Sequence, residues 1–333
     1  MPKKKTKSNI INWQKAGKCD ELVEALFAAK SIGLFAHVSP DGDTLGSCQA
    51  LKLTLTSMDK RVHIYCDGVV PFNLRFLNVK LEEDDTLIPT LDLCLTVDSN
   101  TRSQQGKYAD WLETARKLLA VDHHANVADE SKLSTKGYLD EKSSSCAELV
   151  YDIIDEIGLG LTKDIAACLY AGVATDTGGF KHPNTTSNSF RLAELCIDTG
   201  INLAQTNYNL FKLKPSGQIE YYKSIINNIE LFLEGKLIVL ATDNKQYNKF
   251  KYNFEATDVF DMLVGVAGVG VAIKLTEKKP NVWNISLRSN KVNVAKLAAK
   301  FGGGGHALAA GARFEGKYKD LLKRLLNECK GVL

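Results

Sequence analysis

At 333 residues, with 44% apolar and 24% charged residues, the chain is long enough for two buried cores and has the composition of a globular protein. A formal charge of +3 excludes the uniformly basic surface that holds long nucleic acid, so an anionic ligand would need a local basic pocket. No run of about 18 apolar residues exists, which excludes a membrane-spanning helix.

The N-terminal stretch MPKKKTKSNI is basic with no apolar run after it, so it does not read as a signal peptide. Lys3, Lys4, Lys5 and Lys7 are expected to form a solvated tail. Asp20 is placed to cap a helix over 21–30. The apolar run 32–38 reads as a buried strand, ending in the turn-rich Ser39-Pro40-Asp41-Gly42-Asp43, and a helical pattern follows over 44–58. Further strands are expected over 61–66, 91–97 and 117–121. The second of these runs into Asp98 and the third into Asp122-His123-His124. Helical patterns follow over 145–157, 162–173 and 186–200. This alternation predicts an α/β fold whose parallel sheet has helices on both faces.

Residues 202–217, punctuated by Pro215, Ser216 and Gly217, read as a connector. Beyond it, strands are expected over 236–241, 269–275 and 282–287, with a turn at 278–281 making a hairpin. A helix over 294–301 leads into Gly302-Gly303-Gly304-Gly305-His306, and an amphipathic helix over 318–329 ends the chain. This is a smaller C-terminal α/β domain. The eight cysteines are scattered without a CxxC pair, which fits reduced, buried thiols in a cytoplasmic protein rather than zinc-finger ligands.

Three strands end in acidic or His-rich loops, and ligands of open α/β sheets bind beyond the carboxyl ends of strands. His37, Asp41 and Asp43 can present three ligands to one small volume. The same residues would also serve a plain turn, with Asp41 as an Asx residue and Asp43 as a helix cap. Asp98 past a buried strand suits a carboxylate shared by two metals, and it would also suit a simple cap. Asp122-His123-His124 offers one metal ligand and one group for a substrate phosphate, because adjacent histidines point apart. Of the six histidines in the chain, His37, His123, His124 and His306 lie in these motifs. Asp176 stops an apolar helical run at a Gly178-Gly179 corner that would itself serve as a C-cap. Imidazole and carboxylate without thiolate suit manganese or a similar divalent ion, and two such ions form the usual clamp for phosphoester hydrolysis. The glycines at 302–305 let backbone N–H groups approach a phosphate, His306 adds a donor, and Arg288 in Ser286-Leu287-Arg288-Ser289 can bind phosphate bidentately. No Gly-Lys-Ser/Thr follows the glycines, which argues against ATP chemistry.

The stretches HVSPDGDTLGS, VDSN, VDHHAN, SSSCAELV, ATDTGGF, SLRS and GGGGHALAAG occur in this order. Together they resemble the DHH phosphoesterase family with its DHH-associated C-terminal domain, and within it the bacterial nano-RNase/pAp phosphatase group. The resemblance implies a DHH catalytic domain over 1–200, a hinge over 201–225 and a substrate-binding domain over 226–333. It implies that His37 and Asp41 hold one Mn²⁺, that Asp43, His123 and Asp176 hold a second, and that Asp98 bridges them, with Mg²⁺ or Co²⁺ as substitutes. Asp122 would orient His123, and His124 would contact the scissile phosphate. Arg288, Ser289, Gly303, Gly304, Gly305 and His306 would hold the nucleotide. The implied substrates are short oligoribonucleotides, linear pApA and pAp, with no long duplex and no membrane partner, and a homodimer is implied as well. A cyclic di-AMP phosphodiesterase and a nucleotide-binding sensor without turnover are the alternatives.

Overall fold

The computed structural model describes residues 19–83, 85–124, 133–134, 136–250 and 257–333. The basic tail bearing Lys3, Lys4, Lys5 and Lys7 lies outside them. The chain divides into two compact units, one ending at Leu213 and the other starting at Lys214.

The first unit opens with α1 (Asp20–Ala28), β1 (Ser31–Ala36), α2 (Gly42–Thr56) and β2 (Arg61–Cys66). Asp20 sits in the first turn of α1 rather than at its cap, which Cys19 occupies without a side-chain hydrogen bond. Next come β3 (Leu93–Val97), α3 (Ala109–Glu113), β4 (Leu118–Asp122) and β5 (Gly137–Leu139). The five strands form the expected parallel sheet, in the order β2-β1-β3-β4-β5. Their residues alternate between two cores, as a period of two requires. Ile32, Leu34 and Ala36 of β1 join the larger core, whereas Phe35 turns to the other face. The larger core also takes in α1, α2, α4 (Cys146–Ile157), α5 (Lys163–Asp176) and α6 (Ser187–Asp198). The second face has thinner cover than expected. Phe35 stacks on Tyr65 at 5.0 Å and meets Tyr108 edge-on, beneath α3 and short 3-10 turns.

Helices α2 and α5 approach more closely than side chains would allow. A Cβ on Gly42 would fall 2.4 Å from Thr175 Oγ1, one on Gly46 2.4 Å from the Cys168 carbonyl, and one on Gly172 2.7 Å from both Asp43 Oδ1 and Ala147 Cβ. Gly42 is therefore needed for this contact rather than for the turn.

The segment read as a connector is largely helical. It holds α7 (Leu203–Asn207) and a π-helical turn at Tyr208–Lys212. The Asn202 side chain caps the first, and Leu210 is buried with its carbonyl held by Asn73 Nδ2 at 3.0 Å. Most of 201–225 beyond it is α8 (Gln218–Ile226).

The second unit contains β6 (Ile229–Phe232), β7 (Leu237–Thr242), α9 (Asn244–Phe250), α10 (Thr257–Val264), β8 (Val271–Lys279), β9 (Val282–Arg288), α11 (Val294–Ala299), β10 (Gly304–His306), β11 (Ala309–Glu315) and α12 (Tyr318–Lys330). Its sheet is mixed, ordered β10-β11-β9-β8-β7-β6, with β7 and β8 parallel. The glycine run ends in an edge strand, β10, paired with β11. All eight cysteines are buried thiols. Among the described residues no helix is long and apolar enough to cross a membrane.

Candidate active site

Adjacent parallel strands place their carboxyl ends at one edge, and the acidic motifs gather there. His37 follows β1, Asp98 follows β3, and Asp122 ends β4 ahead of His123 and His124. The N-terminus of α2 adds Asp41 and Asp43, and the last residue of α5 adds Asp176.

These residues form three overlapping groups able to offer ligand atoms to a cation: His37, Asp41 and Asp98; Asp43, His123 and Asp176; and Asp98, His123 and His124. Asp98 is common to the first and third. Its Oδ2 lies 3.7 Å from His37 Nε2, and its Oδ1 lies 3.4 Å from His123 Nε2. His123 Nε2 is also 3.5 Å from Asp176 Oδ2 and 3.8 Å from Asp43 Oδ2. Asp41 Oδ2 is 4.0 Å from His37 Nε2.

The electrostatics are those of crowded acid. Burial, followed by the field of Asp98, pushes Asp43 well above the usual carboxylate range. Burial and the repulsion of Asp98 and Asp41 raise Asp176 to about 6, against the pull of His123. Asp98 behaves oppositely: burial would raise it, but His123 and His37 outweigh burial and hold it low. Burial would lower His123, yet Asp98, Asp43 and Asp176 push it up to about 10.

A cation fits this arrangement. Asp98 Oδ1 and His123 Nε2 are buried and have no hydrogen-bond partner among the described residues, although orphaned buried polar atoms are costly. His123 Nδ1 donates to the Ser143 carbonyl at 3.2 Å, so Nε2 is the nitrogen that faces the carboxylates and becomes a ligand once its proton leaves.

Several roles differ from the expectation. Asp122 does not hold His123. Its Oδ1 accepts from His124 Nδ1 at 2.7 Å and from the His124 N–H at 3.1 Å, because the chain turns at once after β4. Asp41 is the cap of α2, with Oδ1 accepting from the N–H groups of Asp43 and Thr44. Asp43 also holds the start of α4: its Oδ2 accepts from Cys146 N at 2.6 Å and its Oδ1 from Ala147 N at 2.9 Å, a favourable place for a carboxylate. Thr44, Ser143 and Asn184 were not singled out in the sequence. Thr44 donates to Asp98 Oδ2 at 2.7 Å, and Asn184 Nδ2 reaches Asp176 Oδ2 at 3.4 Å and the Ser144 carbonyl at 2.9 Å. Short polar side chains in turns are too common for their identity alone to have marked them.

In the second unit, half-buried Arg288 ends β9, its guanidinium 5.9 Å from the Phe260 ring centroid. Ser289 is a correction. Its hydroxyl donates to the Gly270 carbonyl at 2.7 Å and accepts from the N–H groups of Lys291 and Val292, so it is committed to its own turn. Gly303 is another: its N–H donates to the Ala298 carbonyl, and its missing Cβ admits the Gly311 carbonyl. Gly304 faces open space, and Gly305 has φ +137. The side chain of His306 lies outside the described residues.

Residues 31–173 match the DHH family N-terminal domain, and residues 236–331 match the DHHA1 domain. The chain thus carries a DHH domain followed by a DHHA1 domain. It is 26% identical over 321 residues to the bifunctional oligoribonuclease and PAP phosphatase NrnA of Mycoplasma pneumoniae, covering 94% of this chain and 96% of that protein. The Thermus thermophilus protein of the same name is 27% identical over 307 residues, covering 91% and 90%. A solved exopolyphosphatase-related protein from Bacteroides fragilis shares the fold, with TM-score 0.83 and 23% identity over 94% of this chain and 95% of that one.

Proposed function

We propose that this DHH protein hydrolyses short oligoribonucleotides, linear pApA and pAp to mononucleotides with the help of two manganese ions. The observation that carries the metal reading is the pair of orphaned buried atoms, Asp98 Oδ1 and His123 Nε2, set among carboxylates that burial and mutual repulsion keep strained. His37, Asp41 and Asp98 would hold one ion, and Asp43, Asp98, His123 and Asp176 the other. When bound, the ions supply Lewis acidity for activating water and offset the charge that builds on the attacked phosphate.

The chain's own residues do the rest. Asp122 orients the exposed His124, and their hydrogen bond raises its pKa, which favours the protonated ring that can donate from Nε2 to a phosphate oxygen. Ser143 fixes the tautomer of His123. Arg288 and Gly304, where no side chain shields the backbone, would bind a terminal phosphate. The substrate class is drawn from the names of the relatives that match nearly the whole chain.

The test is product formation, by ion-exchange chromatography, from pAp, pApA, a five-nucleotide RNA and cyclic di-AMP, with manganese and with chelator. Manganese-dependent AMP release from the first three is expected. Cleavage of cyclic di-AMP alone would move the assignment to a cyclic-dinucleotide phosphodiesterase. Tight binding of pApA without product would make the protein a sensor.

A further inference from the structure

We infer that Thr44 is a positioning residue that locks the Asp98 carboxylate with Oδ2 turned to the His37 group and Oδ1 to the His123 group, where both groups would hold metal; this rests on the two-metal reading above. Thr44 is fully buried in the first turn of α2. Its N–H donates to Asp41 Oδ1 at 3.0 Å, and its hydroxyl donates to Asp98 Oδ2 at 2.7 Å. One residue therefore ties together carboxylates from two separate strand-end loops.

Other buried or half-buried helical threonines here behave differently. The Thr54 hydroxyl donates to the Ala50 carbonyl at 2.9 Å and that of Thr175 to the Ala171 carbonyl at 2.8 Å, each four residues back in its own helix. Thr44 has no such helical carbonyl behind it, since position 40 is Pro40, outside α2. Its hydroxyl is thus free to reach across to Asp98, and its β-branched side chain restricts the rotamers that could aim it elsewhere.

Asp98 needs such a lock. Its backbone is left-handed, with φ +60, and its N–H is spent on the Val121 carbonyl at 2.8 Å. With Thr44 holding Oδ2 beside His37, Oδ1 is left without a hydrogen bond beside His123. Rotation of the carboxylate would take one oxygen away from each group at once. Thr44 does not touch substrate in this scheme; it acts through Asp98.

The experiment compares the full-length wild type with T44S, T44V and T44A, each depleted of metal. Mn²⁺ binding is followed by calorimetry, and the exchange-coupled signal of a manganese pair by electron paramagnetic resonance. Melting under chelation checks the fold. Wild type and T44S, which keeps the hydroxyl, should bind alike and show the coupled signal. T44V should lose the coupled signal and bind Mn²⁺ about 10- to 100-fold more weakly, the usual loss when the partner of a ligand is removed. A purely structural role would lower the melting temperature and leave affinity and coupling unchanged, and that result overturns the inference. Should T44V not fold, T44A against T44S decides by the same criteria. A wild type that takes up no Mn²⁺ would sink the metal reading and this inference with it. A wild type that binds a coupled pair, alongside a T44V that does the same, would sink this inference alone.

Discussion

Asp176→Asn should have opposite effects on stability with and without metal. Asp176 is ionised with difficulty because burial, Asp98 and Asp41 raise it from 3.8 to about 6. Its folded pKa lies above its unfolded one, so its contribution to stability is intact below pH 3.8 and is lost as pH rises through about 6. The difference of about two pH units corresponds to roughly 3 kcal/mol of folding free energy forfeited at pH 7.5. Asparagine never ionises. It keeps an acceptor for Asn184, whose 3.4 Å contact is weak in any case. With metal chelated, D176N should therefore be more stable than wild type by roughly 2–3 kcal/mol, or about 5–10 °C in melting temperature. With manganese at about a hundred times its Kd, wild type should gain roughly 3 kcal/mol, while D176N gains little. Urea unfolding and thermal melts of both proteins, each in chelator and in manganese from pH 5 to 8, measure all four stabilities. The reasoning is refuted if D176N is the less stable protein under chelation, or if manganese stabilises it as much as wild type.

Gly172→Ala puts a methyl group 2.7 Å from Asp43 Oδ1 and Ala147 Cβ, so α5 must move away from α2 and α4. A loss of about 1–3 kcal/mol and weaker manganese binding are expected, and unchanged melting and affinity would count against the close-packing argument. Metal binding should release protons, because His123 is pushed up to about 10 by its carboxylate neighbours against burial, and burial raises Asp43. Manganese affinity should therefore fall as pH drops from 8 to 6. Calorimetry in two buffers of different ionisation enthalpy would show this, and identical apparent heats would contradict it. Arg288→Ala should raise the KM for pAp about 10- to 100-fold with a smaller change in kcat, and Arg288→Lys should recover part of it. Steady-state kinetics with an unchanged KM would remove Arg288 from the substrate site.

Much of the first unit could be read directly from the chain. Apolar runs ending at His37, Asp98 and Asp122 are local patterns, and parallel strands force such ends to one edge. The segment read as a connector does contain the boundary between the two units, but its helical turns were not foreseen: Pro215, Ser216 and Gly217 signal a break, whereas the burial of Leu210 that stabilises the preceding turn is a long-range property. The glycines at 303–305 read alike as phosphate-binding backbone, and only the folded chain shows the Gly303 N–H spent on the Ala298 carbonyl and its missing Cβ admitting the Gly311 carbonyl.

Sequence alone therefore determined which residues could carry the chemistry, because side-chain identity and hydrophobic period are local. Tertiary structure decided what each of them does. Asp43 meets Cys146 and Thr44 meets Asp98 across 103 and 54 residues of chain, through helix packing that leaves no local period. Even the choice of Asp122 for His124 over His123 depends on how the chain leaves β4 and where the Ser143 carbonyl lies. Directional hydrogen bonds of this kind depend on the relative placement of elements far apart in the chain, and that placement exists only in the folded protein.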